Sequence, residues 1–282
     1  MTKRIAVITD ANSADFWFPK WHKYYASEFG TDSLHVVTYG GHRADFRNFD
    51  LASVWDVSHA YDDRLRANLI SNLVSRLLAT HDVVVRCDID EFLIPDLRKY
   101  SGLADYVTRC DLPYMSAYGI EVFEKEGDHA IDMTLPVLVS QRRYGIANTA
   151  LHKIAVTTKP LHWAPGFHGA TLPPAFDSLF MFHMKWADVE RRSAWAQLMK
   201  SSVSEDGSEH KYFSVTGEQM LGLKAMFSGK PCLTDGWSSL FNLEEQKAFL
   251  ATVARWPSGN IQGDFTISTS SFVIPEVFRD RV

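Results

Sequence analysis

The chain has 282 residues, 46% of them hydrophobic, so it can bury a full core as one large domain or as one domain with an appended lobe. Its net charge of −5, without a Lys/Arg cluster, excludes a nucleic-acid groove, whose affinity rests on neutralising phosphates. The three cysteines are odd in number and widely spaced, which excludes a disulfide framework and a zinc knuckle and fits a reducing cytoplasm.

The N-terminal apolar run is too short for a signal peptide and no later window approaches a membrane span, so any membrane association is expected to be peripheral, at the inner surface. Arg4 to Thr9 reads as a buried strand, and Asp10 to Asp15 supplies turn and capping residues before an aromatic helix from Phe16 to Phe29. Gly30 to Ser33 breaks that helix, Leu34 to Tyr39 is a second strand and Ser53 to Val57 a short third. From Asp62 to Thr80 apolar residues recur at helical spacing, with Asp62 or Asp63 as cap, and this helix leads into the strand that starts at Val83. Strand alternating with helix implies a mostly parallel sheet covered on both faces, with ligands bound outside the carboxyl ends of its strands.

The strand from Val83 runs into Asp88, Asp90 and Glu91 before the apolar step Phe92-Leu-Ile94. Asp88 and Asp90, two apart in extended chain, would point the same way, and like charges so close call for Mg²⁺, Mn²⁺ or a basic partner. A solvated acidic turn has the same composition. Arg86 interrupts the apolar strand and needs a buried acid on a neighbouring one. Downstream, Leu97 to Arg109 is expected to be helical, Leu112 to Phe123 a strand, Glu121 to Asp128 a charged turn, and Thr134 to Tyr144 and Leu151 to Thr157 strands added antiparallel. Lys159 to Pro174, rich in Pro, Gly, His and Trp, is a candidate functional loop, and Trp163 and Trp237 are loop aromatics that could stack on a sugar. Ser178 to Met184 reads as a strand with His183 near its end, Ala187 to Ser201 as a helix, and the polar run to His210 as a mobile connection. Helical patterns resume at Glu218 to Phe227 and Leu243 to Trp256, and Ser271 to Ile274 is a last strand-like piece. No Gly-rich phosphate loop and no Gly-x-Ser-x-Gly elbow is present, which counts against kinases, dinucleotide enzymes and serine hydrolases.

Cys87-Asp-Ile-Asp-Glu-Phe-Leu-Ile-Pro95 with its preceding helix-strand unit, His152-Lys153, Gly166-Phe-His-Gly169 and Met181-Phe-His-Met-Lys185 together resemble the GT-A class of nucleotide-sugar glycosyltransferases, closest to its family-2-like and family-92-like branch. The resemblance covers roughly the first two thirds of the chain and implies a GT-A-like α/β fold: a mostly parallel central sheet flanked by helices, with an antiparallel addition and a helical C-terminal part. It implies a single catalytic domain over 1–282, with a nucleotide-sugar-binding half (1–130), an acceptor and metal-completing part (131–210) and a helical extension (211–282). It also implies metal-dependent transfer of a sugar, hexosyltransferase-type, from a UDP-linked donor to a hydroxyl of a glycan or glycolipid, as in polysaccharide biosynthesis.

In such families the Asp-x-Asp motif holds Mn²⁺ or Mg²⁺ against the donor diphosphate. By resemblance Asp90 is the leading ligand, Asp88 ligates through water or contacts the ribose, Glu91 orients the site or supports the loop, and His168 or His183 completes the metal site. Lys153 and Lys185 lie beside these motifs and suit the diphosphate, Arg64 and Arg66 at the start of the long helix face phosphate or solvent, and Thr9, Asp10 and Asn12 offer contacts to base and ribose. Asp177, Glu121 and Glu124 are the carboxylates available as a general base, with Asp177 preferred and Glu121 next. Two other readings stay open: a metal-dependent phosphotransferase or phosphohydrolase, for which Asp10 would serve as the acid at the first strand end, and a catalytically inert carbohydrate-binding protein on the same fold.

Overall fold

The computed structural model describes residues 3–14, 16–58, 62–200, 217–235, 237 and 243–282. The run from Ser202 to His210 lies outside them. Strands β1 (Ile5–Asp10), β2 (Leu34–Tyr39), β3 (Ser53–Val57) and β4 (Val83–Arg86) form the parallel half of the sheet in the order β3-β2-β1-β4. β1, β2 and β4 are buried almost throughout because both faces are covered, whereas the edge strand β3 is half-buried. Val7, Val83 and Val85 pack under helix α1 (Phe18–Phe29), whereas Ala6, Ile8 and Val84 pack under helix α2 (Asp63–Leu77). Asp62 caps α2 as expected, its Oδ1 accepting from Leu65 N at 2.7 Å.

The remainder is the expected antiparallel addition, with some elements displaced. Asp88 to Glu91 is a tight turn rather than extended chain, Asp88 O accepting from Glu91 N at 3.1 Å, and it starts a separate strand β5 (Glu91–Pro95). The free edge of β5 is covered by α1, where Tyr24 Oη donates to Leu93 O at 2.6 Å and Tyr25 Oη donates to Glu91 O at 3.0 Å. Helix α3 (Leu103–Arg109) begins later than expected, after Gly102. Strand β6 (Tyr114–Phe123) carries Glu121 inside it, buried, so no charged turn begins there. The segment from Thr134 to Arg143 forms no strand. Pro136 cannot donate to a ladder, and Val139 sits at φ 66° while Val137 N bonds the terminal Val282 O at 2.6 Å. The strand there is instead β7 (Tyr144–Ala147), which shares only Tyr144 with the expected one.

Strand β8 (Ile154–Thr157) pairs antiparallel with both β4 and β6, and the long strand β9 (Phe176–Trp186) runs parallel to β6 and antiparallel to β5. Helix α4 (Val189–Lys200) follows β9, and helices Gly217–Ser228 and Leu243–Thr252 make the helical C-terminal part. Trp163 and Trp237 are packing residues, not sugar platforms. Trp163 is buried under α2 with its Nε1 donating to Ile154 O at 3.0 Å, and Trp237 lies against Phe180, Phe182 and Phe278. Cys87 is sealed beneath α1, where Trp21 Nε1 donates to its Sγ at 3.2 Å and burial pushes the thiol up to about 12. Among the described residues no helix is long and apolar enough to cross a membrane.

Gly119 on β6 has no room for a side chain, since a Cβ there would lie 2.6 Å from Asn148 O. Gly119→Ala should therefore lower the unfolding free energy by about 1–3 kcal/mol in urea titrations. Buried histidines add a sensitivity to acid. The His35 imidazole on β2 is buried with Nε2 unpartnered among the described residues, and burial, helped by nearby His81, lowers its pKa to about 4. Burial likewise takes His152 and His168 down to about 4. Between the ordinary histidine value near 6.5 and 4 the unfolded chain binds protons that the native chain refuses, so stability should fall as pH drops through that window. His35→Gln should make the fall shallower when unfolding midpoints are measured from about pH 7 to 4.

Candidate functional site

The carboxyl ends of β1 and β4 meet a turn, a helix and a loop that are all charged. Alternation along β1 turns Asp10 to the α2 side, where Arg66, in the first turn of α2, reaches it at 2.5 Å. Arg86 at the end of β4 points to the same side, 3.5 Å from Asp10 Oδ1 and 2.5 Å from Asp88 Oδ1. Asp88 Oδ1 is also paired with Arg66, and its Oδ2 accepts from Lys153 Nζ at 3.2 Å. Lys153, just before β8, donates more closely to Glu91 Oε1 at 2.6 Å, and Glu91 Oε2 accepts from Asp88 N at 2.9 Å. Three carboxylates and three cations thus close on one another. Burial works against the Asp88 charge, yet Arg66, Arg86 and Lys153 hold its pKa well below the usual carboxylate range. Burial likewise disfavours the Lys153 charge, and Glu91 and Asp88 more than offset it, raising its pKa.

Phe167 completes this arrangement from the loop before β9. Its ring lies under the Arg86 guanidinium, 3.2 Å from centroid to Cζ, and under Arg66 at 4.6 Å. Gly166 and Phe167 both adopt positive φ, 70° and 62°, which glycine accepts without cost and phenylalanine does not, so the inserted ring holds the strained backbone.

A second cluster lies across β5, β9 and β6. The registers place Glu91 opposite His183 and His183 opposite Glu121. His183 Nδ1 donates to Glu121 Oε2 at 2.8 Å, its Nε2 is 3.4 Å from Asp90 Oδ2, and Glu121 Oε1 accepts from Asn148 Nδ2 at 3.0 Å. Burial alone would discharge His183, but Glu121 and Asp90 on its two sides raise its pKa well above the ordinary histidine value. The same ring holds the Asp90 and Glu121 carboxyls down against their own burial.

Asp90 and His183 open onto a cleft that is also lined by Asp10, Asn12, Arg66, Asp88, Phe16 and Trp17. Its lining is completed by Lys185, Asp188 and the first turns of α4 with Arg191, Arg192 and Trp195, the Arg191 guanidinium lying over the Phe16 ring at 4.4 Å. Of the residues singled out from sequence, this cleft brings together Asp10, Asn12, Arg66, Asp88, Asp90, His183 and Lys185. Thr9 is turned by strand alternation to the α1 side, fully buried, and cannot touch a nucleotide. Arg64 is exposed on the outer side of α2, two positions before Arg66, which does reach the site. Lys153 is buried against Glu91 and is spent on the ion cluster. His168 Nδ1 donates to Ala150 O at 2.6 Å, and the ring lines a separate small cavity with Phe249 and Gln262. Asp177 is at the opposite end of β9 from His183, bonded to Ser178 Oγ at 3.4 Å. Glu121 is enclosed by His183 and Asn148, and Glu124 by Val189 N and Lys224. The basic and aromatic residues of α4 that line the cleft are not among those singled out from sequence. Their one local signal is the pair Arg191-Arg192 a turn before Trp195, in a helix that starts four residues after Lys185.

Among the described residues no group of three or more His, Cys, Asp or Glu side chains is set to hold a metal ion. Asp88 is taken up by three cations, so the donors that would fit a divalent cation are Asp90 and, once its Nε2 has given up its proton, His183, with the remaining positions left to ligand oxygens and water.

No family model and no curated protein matches the sequence. Among solved structures, residues 1–349 of S. aureus TarS are similar over 86% of this chain and 77% of that one, at 12% identity and a TM-score of 0.34. A mannose-1-phosphate geranyltransferase from Thermus thermophilus is similar over 78% of this chain and 67% of that one, at 8% identity and a TM-score of 0.30. Likenesses this distant carry no function across; the site itself must.

Removing the ammonium from Lys153 leaves Glu91, fully buried, without its cation. Lys153→Met is expected to cost about 3–5 kcal/mol in denaturant unfolding at neutral pH.

Proposed function

We propose that the chain is a metal-dependent glycosyltransferase that moves a sugar from a nucleotide-sugar donor, UDP-linked in the first test, to a hydroxyl of a glycan or glycolipid. The observation that carries the reading is the cleft itself: Asp90 and His183 side by side at a sheet's carboxyl edge, in one cleft with Lys185, Arg191 and Arg192 and with the aromatic side chains Phe16, Trp17 and Trp195. Mn²⁺ or Mg²⁺ held by Asp90 and His183 would stabilise the charge that gathers on a departing nucleoside diphosphate. Lys185, Arg191 and Arg192 supply further positive charge to the same phosphates, with the Arg191 guanidinium resting on the Phe16 ring at 4.4 Å. Arg66 and Arg86 hold Asp10 and Asp88 in place and keep this part of the lining rigid. The acids of the cleft, Asp10, Asp88, Asp90 and Asp188, are each tied to a cationic side chain, so none is poised to take a proton from an acceptor. The phosphotransferase alternative needs an accessible acid at the end of the first strand, and Asp10 is buried and clamped by Arg66.

A thermal-shift screen tests the reading. UDP-sugars should stabilise the wild-type protein only when Mn²⁺ is present, and Asp90→Asn and His183→Gln should lose that metal-dependent part. Unchanged metal-dependent binding and turnover in Asp90→Ala would sink the proposal. Asp177→Asn should transfer sugar at close to the wild-type rate, because Asp177 lies at the far end of β9.

A further inference from the structure

Glu121 belongs to the site without opening onto it. Its side chain is 6% exposed, and its oxygens are divided between Asn148 Nδ2 at 3.0 Å and His183 Nδ1 at 2.8 Å. The contact with His183 is built on backbone register, since β6 and β9 place the two residues opposite one another. On the other side of the ring, Nε2 lies 3.4 Å from Asp90 Oδ2, at the wall of the cleft. An imidazole whose Nδ1 hydrogen is taken by a carboxylate is fixed in tautomer and plane, and presents its Nε2 as a better-aimed donor. Asn148 holds the second oxygen, so Glu121 cannot rotate away from the ring.

We propose that Glu121 is a positioning residue, which keeps His183 Nδ1–H toward itself and Nε2 toward Asp90 and the cleft, and thereby sets the affinity of Asp90 and His183 for a divalent cation. The cation part rests on the reading under Proposed function, whereas the orientation of the ring stands without it. This role replaces that of general base, which the enclosure of Glu121 rules out.

Two readouts separate these parts. In the metal-free protein, the Nδ1–H proton of His183 should give a downfield NMR resonance that moves in the near-isosteric Glu121→Gln and is lost in Glu121→Ala. With Mn²⁺ alone in isothermal titration calorimetry, Glu121→Gln should bind about tenfold more weakly or worse. The double variant Glu121→Gln/His183→Gln should bind no more weakly than His183→Gln alone, because one side chain acts through the other. Additive losses in the double variant, or a His183 resonance that is the same in wild type and both Glu121 variants, would overturn the proposal. If the wild-type protein takes up no Mn²⁺ while the resonance still depends on Glu121, the cation reading falls and the ring-positioning role stands.

Discussion

Charges placed in a protein interior persist only when each one meets its opposite, because the cost of leaving water is several kcal/mol per ion. At the carboxyl edge of this sheet Asp10, Asp88 and Glu91 meet Arg66, Arg86 and Lys153, and the numbers of each sign match. The six residues come from β1, the turn after β4, β5, α2, β4 and the segment before β8, so the parallel half of the sheet, its covering helix and the antiparallel addition are fixed to one another at one place. The Phe167 ring closes the cluster on its apolar side. Little charge remains over from this group, and the cleft is left with Asp90 and His183 together with Lys185, Asp188 and the arginines of α4.

The division of labour between Asp88 and Asp90 follows from a turn. Had the chain stayed extended, both carboxylates would face one way and share one neighbourhood. The tight turn from Asp88 to Glu91 instead sends Asp88 back into the arginines and carries Asp90 forward to His183. The neighbourhood of His183 is then a matter of strand register: a slip of one residue between β9 and either partner would turn its ring to the opposite face of the sheet.

The parallel half of the fold was legible because its signals are local. Apolar runs in β1, β2 and β4, the Asp62 cap and the helical spacing of α2 all lie within short windows of sequence. The antiparallel addition was read less well because nothing local distinguishes Thr134 to Arg143, with its buried Val137, Leu138 and Val139, from a strand; its conformation is set by the distant terminus at Val282. The site shows the same division. Asp88, Asp90 and His183 could be picked out by residue type and position, and the demand of Arg86 for a buried acid is met by Asp10 and Asp88. Choosing His183 over His168, Arg66 over Arg64, and enclosure over catalysis for Glu121 required knowing which way a strand or helix faces, which short-range pattern does not carry.

The three thiols are graded in depth, from Cys232 on the surface through half-buried Cys110 to Cys87 locked under α1. A thiol reagent would therefore meet them in an order set by how far the protein must breathe. Cys87 can react only when Trp21 and its helix lift from the sheet beside the acidic turn, so its labelling rate is a native clock for the opening of that face.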